Sequence, residues 1–239
     1  MKDQIFSIIC FLLLSLNAWA TENPLLVLDS GHTPKHGGAL GIKGQYEVVY
    51  NDQFVSKLQP ELEKAGWKVM LTRLPEQEIG LSERAALANK NGAVIFLSIH
   101  HDSAQLKYLQ EVEHNGQKVY QTTRPIRGYS LFVSGKNPEF IKSQKLAASI
   151  GKELRGLGRV PTLHHAEPIA GENRLLLDKT NGVYRYDELA VLRQTTMPAV
   201  LLEIGVIVDK QDEAYISQTE NQRAMINAIV RALQPYQHF

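Results

Sequence analysis

Three apolar runs in this chain each end in residues that can hold a metal or move a proton. Leu25-Leu26-Val27-Leu28 leads into Asp29-Ser30-Gly31-His32, and Ala93 to Ile99 leads into His100-His101-Asp102. Pro198 to Leu202 leads into Glu203-Ile204-Gly205. Glu47 adds a carboxylate just after a loop rich in glycine (Gly37, Gly38, Gly41, Gly44). Two imidazoles and a carboxylate make a three-ligand zinc set that leaves a fourth position open for water. A spare carboxylate such as Glu203 can then act as general base. A single histidine after a strand is more often a hydrogen-bonded surface residue. Four such groups at element ends shift the balance toward a site.

The elements that must position these groups alternate. Leu25 to Leu28 is a short apolar run closed by Asp29-Ser30-Gly31, the pattern of a buried strand ending in a loop. From Glu47 to Ala65 apolar residues recur at helical spacing (Val48, Phe54, Val55, Leu58, Leu62), with Gly66 as the stop. Trp67 to Thr72 alternates as a strand, and a second helix runs to Asn89 with Ser82 as its N-cap. Ala93 to Ile99 is a nearly unbroken apolar run, typical of a strand covered on both faces. Further on, Gly128 to Ser134 and Pro198 to Leu202 read as strands, and Pro138 to Leu154 and Asp212 to Leu233 as helices. This order predicts an α/β fold: a single domain whose mostly parallel twisted sheet is flanked by helices on both faces. In such sheets ligands bind beyond the carboxyl ends of the strands, where His32, His100 and Glu203 fall. Two stretches fit no element. Ala104 to Arg127 is polar and reads as a hairpin or mobile flap, and Arg155 to Asp187 carries four glycines, two prolines and the pair His164-His165.

Composition bounds the function classes. The 239 residues are 44% hydrophobic and 21% charged, with a net charge of +1, close to the globular average and unlike disordered, collagenous or coiled-coil chains. A near-zero charge gives no support for sequence-independent nucleic-acid binding. Residues 1–20 have the order of an export signal: Lys2, an apolar core from Ile5 to Leu16, then Ala18-Trp19-Ala20. That core is shorter than the roughly 20 residues a membrane span needs. Cleavage after Ala20 removes Cys10, the one cysteine, and leaves an exported chain without a membrane anchor or a disulfide. Any metal site in it must use His, Asp and Glu.

The sequence resembles the catalytic domain of the zinc-dependent N-acetylmuramoyl-L-alanine amidases called amidase type 3. The resemblance runs from about Leu25 to Leu233. It is carried by Leu28-Asp-Ser-Gly-His32, Glu47 with Asn51, Val69-Met-Leu-Thr-Arg73, Leu81-Ser-Glu-Arg84, Phe96-Leu-Ser-Ile-His100, Arg127-Gly-Tyr-Ser-Leu-Phe132, Val191-Leu-Arg193 and Met197 to Gly205. It implies one catalytic domain over residues 24–235, a single Zn2+ held by His32, Glu47 and His100, and Glu203 as the catalytic carboxylate. The implied reaction is hydrolysis of the amide between N-acetylmuramic acid and L-alanine in peptidoglycan. The implied place is the periplasm or the medium, with a protein activator as a partner to consider. Two alternatives are a non-catalytic wall-binding module on the same fold and a zinc peptidase cutting within the stem peptide.

Several neighbours carry two readings each. His101 departs from the family pattern and is either a support or substrate contact, or a packed histidine. Asn51, four residues after Glu47 and so on its helical face, either orients that carboxylate or makes an ordinary helix-face bond. Asp29 either holds His32 or forms a turn. Arg73 and Arg84 read as structural ion-pair formers before substrate contacts, and His36 as a loop histidine. The segment His164 to Arg174 either lines the groove or covers it, and Pro168 and Gly171 argue against a long blocking helix.

Overall fold

The computed structural model describes residues 23–237; the leader expected over residues 1–20, with Cys10, lies outside the described residues. The first half contains β1 (Leu25–Ser30), α1 (Glu47–Lys64), β2 (Lys68–Leu71), α2 (Leu81–Lys90), β3 (Ile95–Asp102), β4 (Leu109–His114) and β5 (Gln117–Thr122). The second contains β6 (Ser130–Val133), α3 (Phe140–Gly156), β7 (Leu175–Asp178), β8 (Val183–Arg185), α4 (Ala190–Gln194), β9 (Ala199–Val206), α5 (Lys210–Ile216) and α6 (Thr219–Leu233). Seven strands pair in the order β2-β1-β3-β9-β6-β8-β7, while β4 and β5 form a separate hairpin. The β2-β1-β3-β9 block is parallel throughout. β6 joins β9 antiparallel and β8 parallel, and β7 closes the edge antiparallel to β8. The sheet is therefore mostly parallel.

Strand alternation assigns residues to two cores. Leu26 and Leu28 of β1, Leu97 and Ile99 of β3, and Val200 and Leu202 of β9 pack with Leu58, Ile150 and Ile229 of α1, α3 and α6. The intervening Val27, Phe96 and Leu201 face the other way, toward Ala88 of α2 and Leu192 of α4. Each fully buried leucine or isoleucine contributes roughly 1.5–3 kcal/mol. The described residues contain no cysteine, so this two-sided burial has no disulfide beside it. Among them, no helix is long and apolar enough to cross a membrane.

The local signals at α1 hold. Gly66 takes φ 92°, and the N–H of Trp67 bonds back to the Leu62 carbonyl at 3.1 Å, a left-handed stop that glycine enters without a Cβ clash. Other boundaries move. Helix α2 begins at Leu81, with Gly80 in the capping position. The Gly80 N–H donates to Glu83 Oε2 at 2.7 Å, so a first-turn carboxylate and not the Ser82 hydroxyl satisfies that end. The closing helix is two helices, and Asp209 caps the first by accepting the Gln211 and Asp212 N–H groups at 3.0 Å. The polar stretch after Ala104 is a hairpin. The irregular stretch from Arg155 supplies β7, whose short run Leu175-Leu176-Leu177 pairs with β8, and β8, which pairs with β6.

Candidate functional site

The carboxyl ends of β1 and β3 bring His32 and His100 against Glu47, the first residue of α1. Glu47 Oε2 lies 2.9 Å from His32 Nε2, and Oε1 lies 2.8 Å from His100 Nδ1. These three ligand atoms all fall within 4.8 Å of one another. Two glycines permit the approach. A Cβ on Gly31 would stand 2.3 Å from His100 Nε2, and one on Gly38 would stand 2.5 Å from Glu47 Oε2. Burial opposes a charge on Glu47, but the hydrogen bonds to His100 and His32 outweigh it and hold this carboxyl well below the usual range.

His32 adopts φ 65°, a left-handed conformation that costs a non-glycine residue energy and persists only when its surroundings enforce it. Here they do. Its carbonyl accepts Arg73 Nε at 2.8 Å and an Arg84 guanidinium nitrogen at 2.5 Å. Arg84 also bonds Asp29 and the Ser30 carbonyl, both at 2.6 Å, and Arg73 pairs with Asp52 at 2.7 Å. Both arginines are buried. Asp29 bonds Arg84, Thr72 and Ser98 and is linked to His32 through Arg84, which corresponds to neither of its two readings. Asp52 carried no sequence signal, because its partners Ser30 and Arg73 are 22 and 21 residues away.

His101 points to the opposite side of β3 from His100. Its Nδ1 meets Asn51 Oδ1 at 2.7 Å, and its ring packs near Tyr50 and Phe54. Burial drives its pKa down to about 3, so the ring stays neutral. Asn51 donates to Glu47 Oε1 at 3.3 Å and to the Gly31 carbonyl at 3.2 Å. It thereby ties the carboxylate to the loop that carries His32.

Glu203 on β9 pairs in register with His100 on one side and Ser130 of β6 on the other. Its Oε2 and the Ser130 Oγ are both buried without a hydrogen-bond partner among the described residues. Directly paired antiparallel residues share a face, so two unmet polar groups sit side by side. Burial raises the Glu203 pKa well above the usual carboxylate value, and the Asp102 and Glu47 carboxylates push it further.

A cavity of about 440 Å³ opens over His32 and His100, with His36, Ile79 and Leu81 in its walls. A second, of about 130 Å³, is lined by Glu203, Phe132, His165, Glu172, Arg174 and Tyr186. Leu189 and Leu201 border both, so the two form one crevice across the strand ends. The segment 164–174 lines it through His165, Glu172 and Arg174, with His164–Ala166 a single 3-10 turn and, among the described residues, no regular helix within the segment. Sequence reasoning did not anticipate that Asp102 would meet this segment. Its Oδ2 lies 2.7 Å from His165 Nε2 and 3.4 Å from His164 Nε2.

An α/β sheet that converges two imidazoles and a carboxylate beside an unpaired, hard-to-ionise carboxylate presents the groups that metal-assisted hydrolysis requires. A family model described as N-acetylmuramoyl-L-alanine amidase matches residues 26–235. The chain belongs to that family. A curated relative described as "Probable cell wall amidase LytH", from Staphylococcus saprophyticus, is 30% identical over 93% of this chain. The alignment spans 64% of that relative's length. The catalytic domain of CwlV from Bacillus (Paenibacillus) polymyxa var. colistinus superposes with TM-score 0.66 at 24% identity, covering 89% of this chain and 97% of that one. CwlD from Clostridioides difficile, solved in complex with the GerS lipoprotein, gives TM-score 0.66 at 22% identity, over 90% of this chain and 98% of that one. These solved structures bear on the fold.

Proposed function

We propose that this chain is a zinc-dependent amidase that hydrolyses the bond between the lactyl group of N-acetylmuramic acid and L-alanine in peptidoglycan. The observation that carries the reading is the convergence of His32, Glu47 and His100 beside the unpartnered Oε2 of Glu203, in a chain of this family. The donor set fits zinc: three nitrogen or oxygen ligands, one of them a carboxylate kept ionised, packed so closely on Gly31 and Gly38 that a Cβ at either would collide with His100 or Glu47. Zinc held there supplies a Lewis acid for the scissile carbonyl and lowers the pKa of water toward 7.

The residues of the chain do the rest. Glu203 takes the proton of the attacking water on Oε2 and returns it to the departing alanine nitrogen. Burial and the neighbouring Asp102 and Glu47 carboxylates raise the proton affinity of Glu203, which favours taking the proton from water. Asn51, Arg73 and Arg84 keep Glu47 and His32 in place. Peptidoglycan lies outside the cytoplasm, which accords with export directed by residues 1–20 and with a periplasmic or extracellular site of action. A protein activator is a proposed partner of this chain.

The test is digestion of purified peptidoglycan by the wild type and by Glu203→Gln, with products identified by mass spectrometry. The wild type is expected to free intact stem peptides bearing an L-alanine amino terminus. The variant should keep its zinc and lose about 10²–10⁴-fold in turnover. Fragments cut inside the stem would instead mark a peptidase, and wall binding without products a non-catalytic module. Near-wild-type turnover in Glu203→Gln would overturn the role given to that residue.

A further inference from the structure

We propose that Asp102, His164 and His165 form a second divalent-metal site of zinc type, beside the first and separate from it. The three ligand atoms lie within 4.8 Å of one another. The side chains are 11%, 3% and 12% exposed, so the cluster is a built interior feature. Its spacings, 2.7 and 3.4 Å from the Asp102 carboxylate to the two Nε2 atoms, resemble the 2.9 and 2.8 Å around Glu47.

The arrangement behind the ligand atoms favours a metal. Histidine ligands offer one nitrogen to the ion and bond through the other to a carboxylate, carbonyl or comparable partner that fixes the ring. His165 Nδ1 meets Glu172 Oε2 at 3.0 Å, and His164 Nδ1 meets Thr162 Oγ1 at 2.6 Å. With Nδ1–H of His165 donated to Glu172, its Nε2 faces the Asp102 carboxylate oxygen across 2.7 Å, a position that a proton or a metal ion fills. A proton on that nitrogen serves one imidazole. A divalent ion serves both imidazoles and the carboxylate at once.

The backbone at the cluster is held: Gln105 donates to the His164 carbonyl at 3.1 Å, and the Arg174 N–H to that of His165 at 2.7 Å. Two imidazoles and one carboxylate suit zinc and leave a coordination position open.

β3 explains why two sites stand side by side. His100 and Asp102 are two residues apart and so share a face of the strand, while His101 between them points away. The pairing of β3 with β9 shifts between His100 and Asp102, the kind of irregularity that re-aims side chains. Glu203 pairs in register with His100 and lines the same small cavity as His165, so it stands beside both clusters.

The experiment is metal-stripping of the purified protein with a chelator, followed by titration with zinc alone. Calorimetry and elemental analysis would count the ions, and circular dichroism would verify folding. Two zinc ions per chain are expected for the wild type. Asp102→Asn, which keeps the side-chain shape, should weaken the second ion at least 100-fold and leave the first. His164→Ala with His165→Ala should leave one ion, and His32→Ala should leave the other. A single wild-type ion lost in His32→Ala, or two ions retained in Asp102→Asn and in the double variant, overturns the proposal. A single wild-type ion lost in Asp102→Asn but retained in His32→Ala would uphold it, and would count against the first site instead.

Discussion

Replacing Arg84 by methionine should separate what holds the fold from what holds the candidate zinc site. Arg84 and Asp29 are 2% and 1% exposed, and their ion pair measures 2.6 Å. Methionine preserves the length of the side chain and removes the charge. Asp29 then keeps only the hydroxyls of Thr72 and Ser98, and the Ser30 and His32 carbonyls each lose a donor. Breaking a buried pair from one side costs about 3–5 kcal/mol, because an uncompensated charge stays behind. For a chain of this size each kcal/mol lowers Tm by about 2–4 °C, so the variant should melt about 6–20 °C lower. Adding Asp29→Asn removes the stranded charge and should recover most of that loss. It should not recover zinc retention, since the His32 carbonyl still lacks its Arg84 donor; supporting partners of this kind are worth about 10–100-fold in affinity. Thermal melts in chelator and zinc titration of the three proteins provide the two readouts. A single variant melting within about 2 °C of wild type, or a double variant no more stable than the single, would refute the reasoning.

Two other outcomes follow from the same geometry. Gly31→Ala should displace the His100 ring, since the new Cβ would sit 2.3 Å from Nε2, and metal analysis should show zinc retention falling at least about 10-fold with the fold intact; unchanged retention would place the ligand cluster elsewhere. His101 should make the metal-free protein acid-sensitive. Its pKa is about 3 when folded and about 6.5 when unfolded, so the unfolded chain binds the extra proton and stability falls as pH drops from 6.5 toward 3. His101→Gln should therefore lose about 2–3 kcal/mol less than wild type between pH 7 and 4.5 in urea unfolding, and equal losses would contradict a neutral buried ring.

Much of the frame was legible because its signals are local. The apolar runs of β1, β3 and β9 announce buried strands, and Val48, Phe54, Val55, Leu58 and Leu62 mark one face of α1. The elements that escaped carry only short signals. β7 and β8 are strands of four and three residues, defined by hydrogen bonds to a neighbour. Helix α4 spans five residues, too few for a period to show. β3 continues past Ile99 through two histidines and an aspartate because β9 continues beside it.

The sequence alone determined the residue types and their places in the chain: imidazoles and carboxylates at the ends of recognisable strands and helices, in an order that resembles one family. Side-chain periods of 2.0 and 3.6 are properties of a few consecutive residues, so they can be read without a fold. Only the tertiary structure decided which groups meet. Arg84 reaches the His32 carbonyl across 52 positions, and His165 reaches Asp102 across 63. β6 enters the sheet antiparallel beside β9, setting Ser130 against Glu203. Those contacts are fixed by strand pairing and by where buried charges find partners, energies that belong to the packed molecule and leave no trace in local spacing.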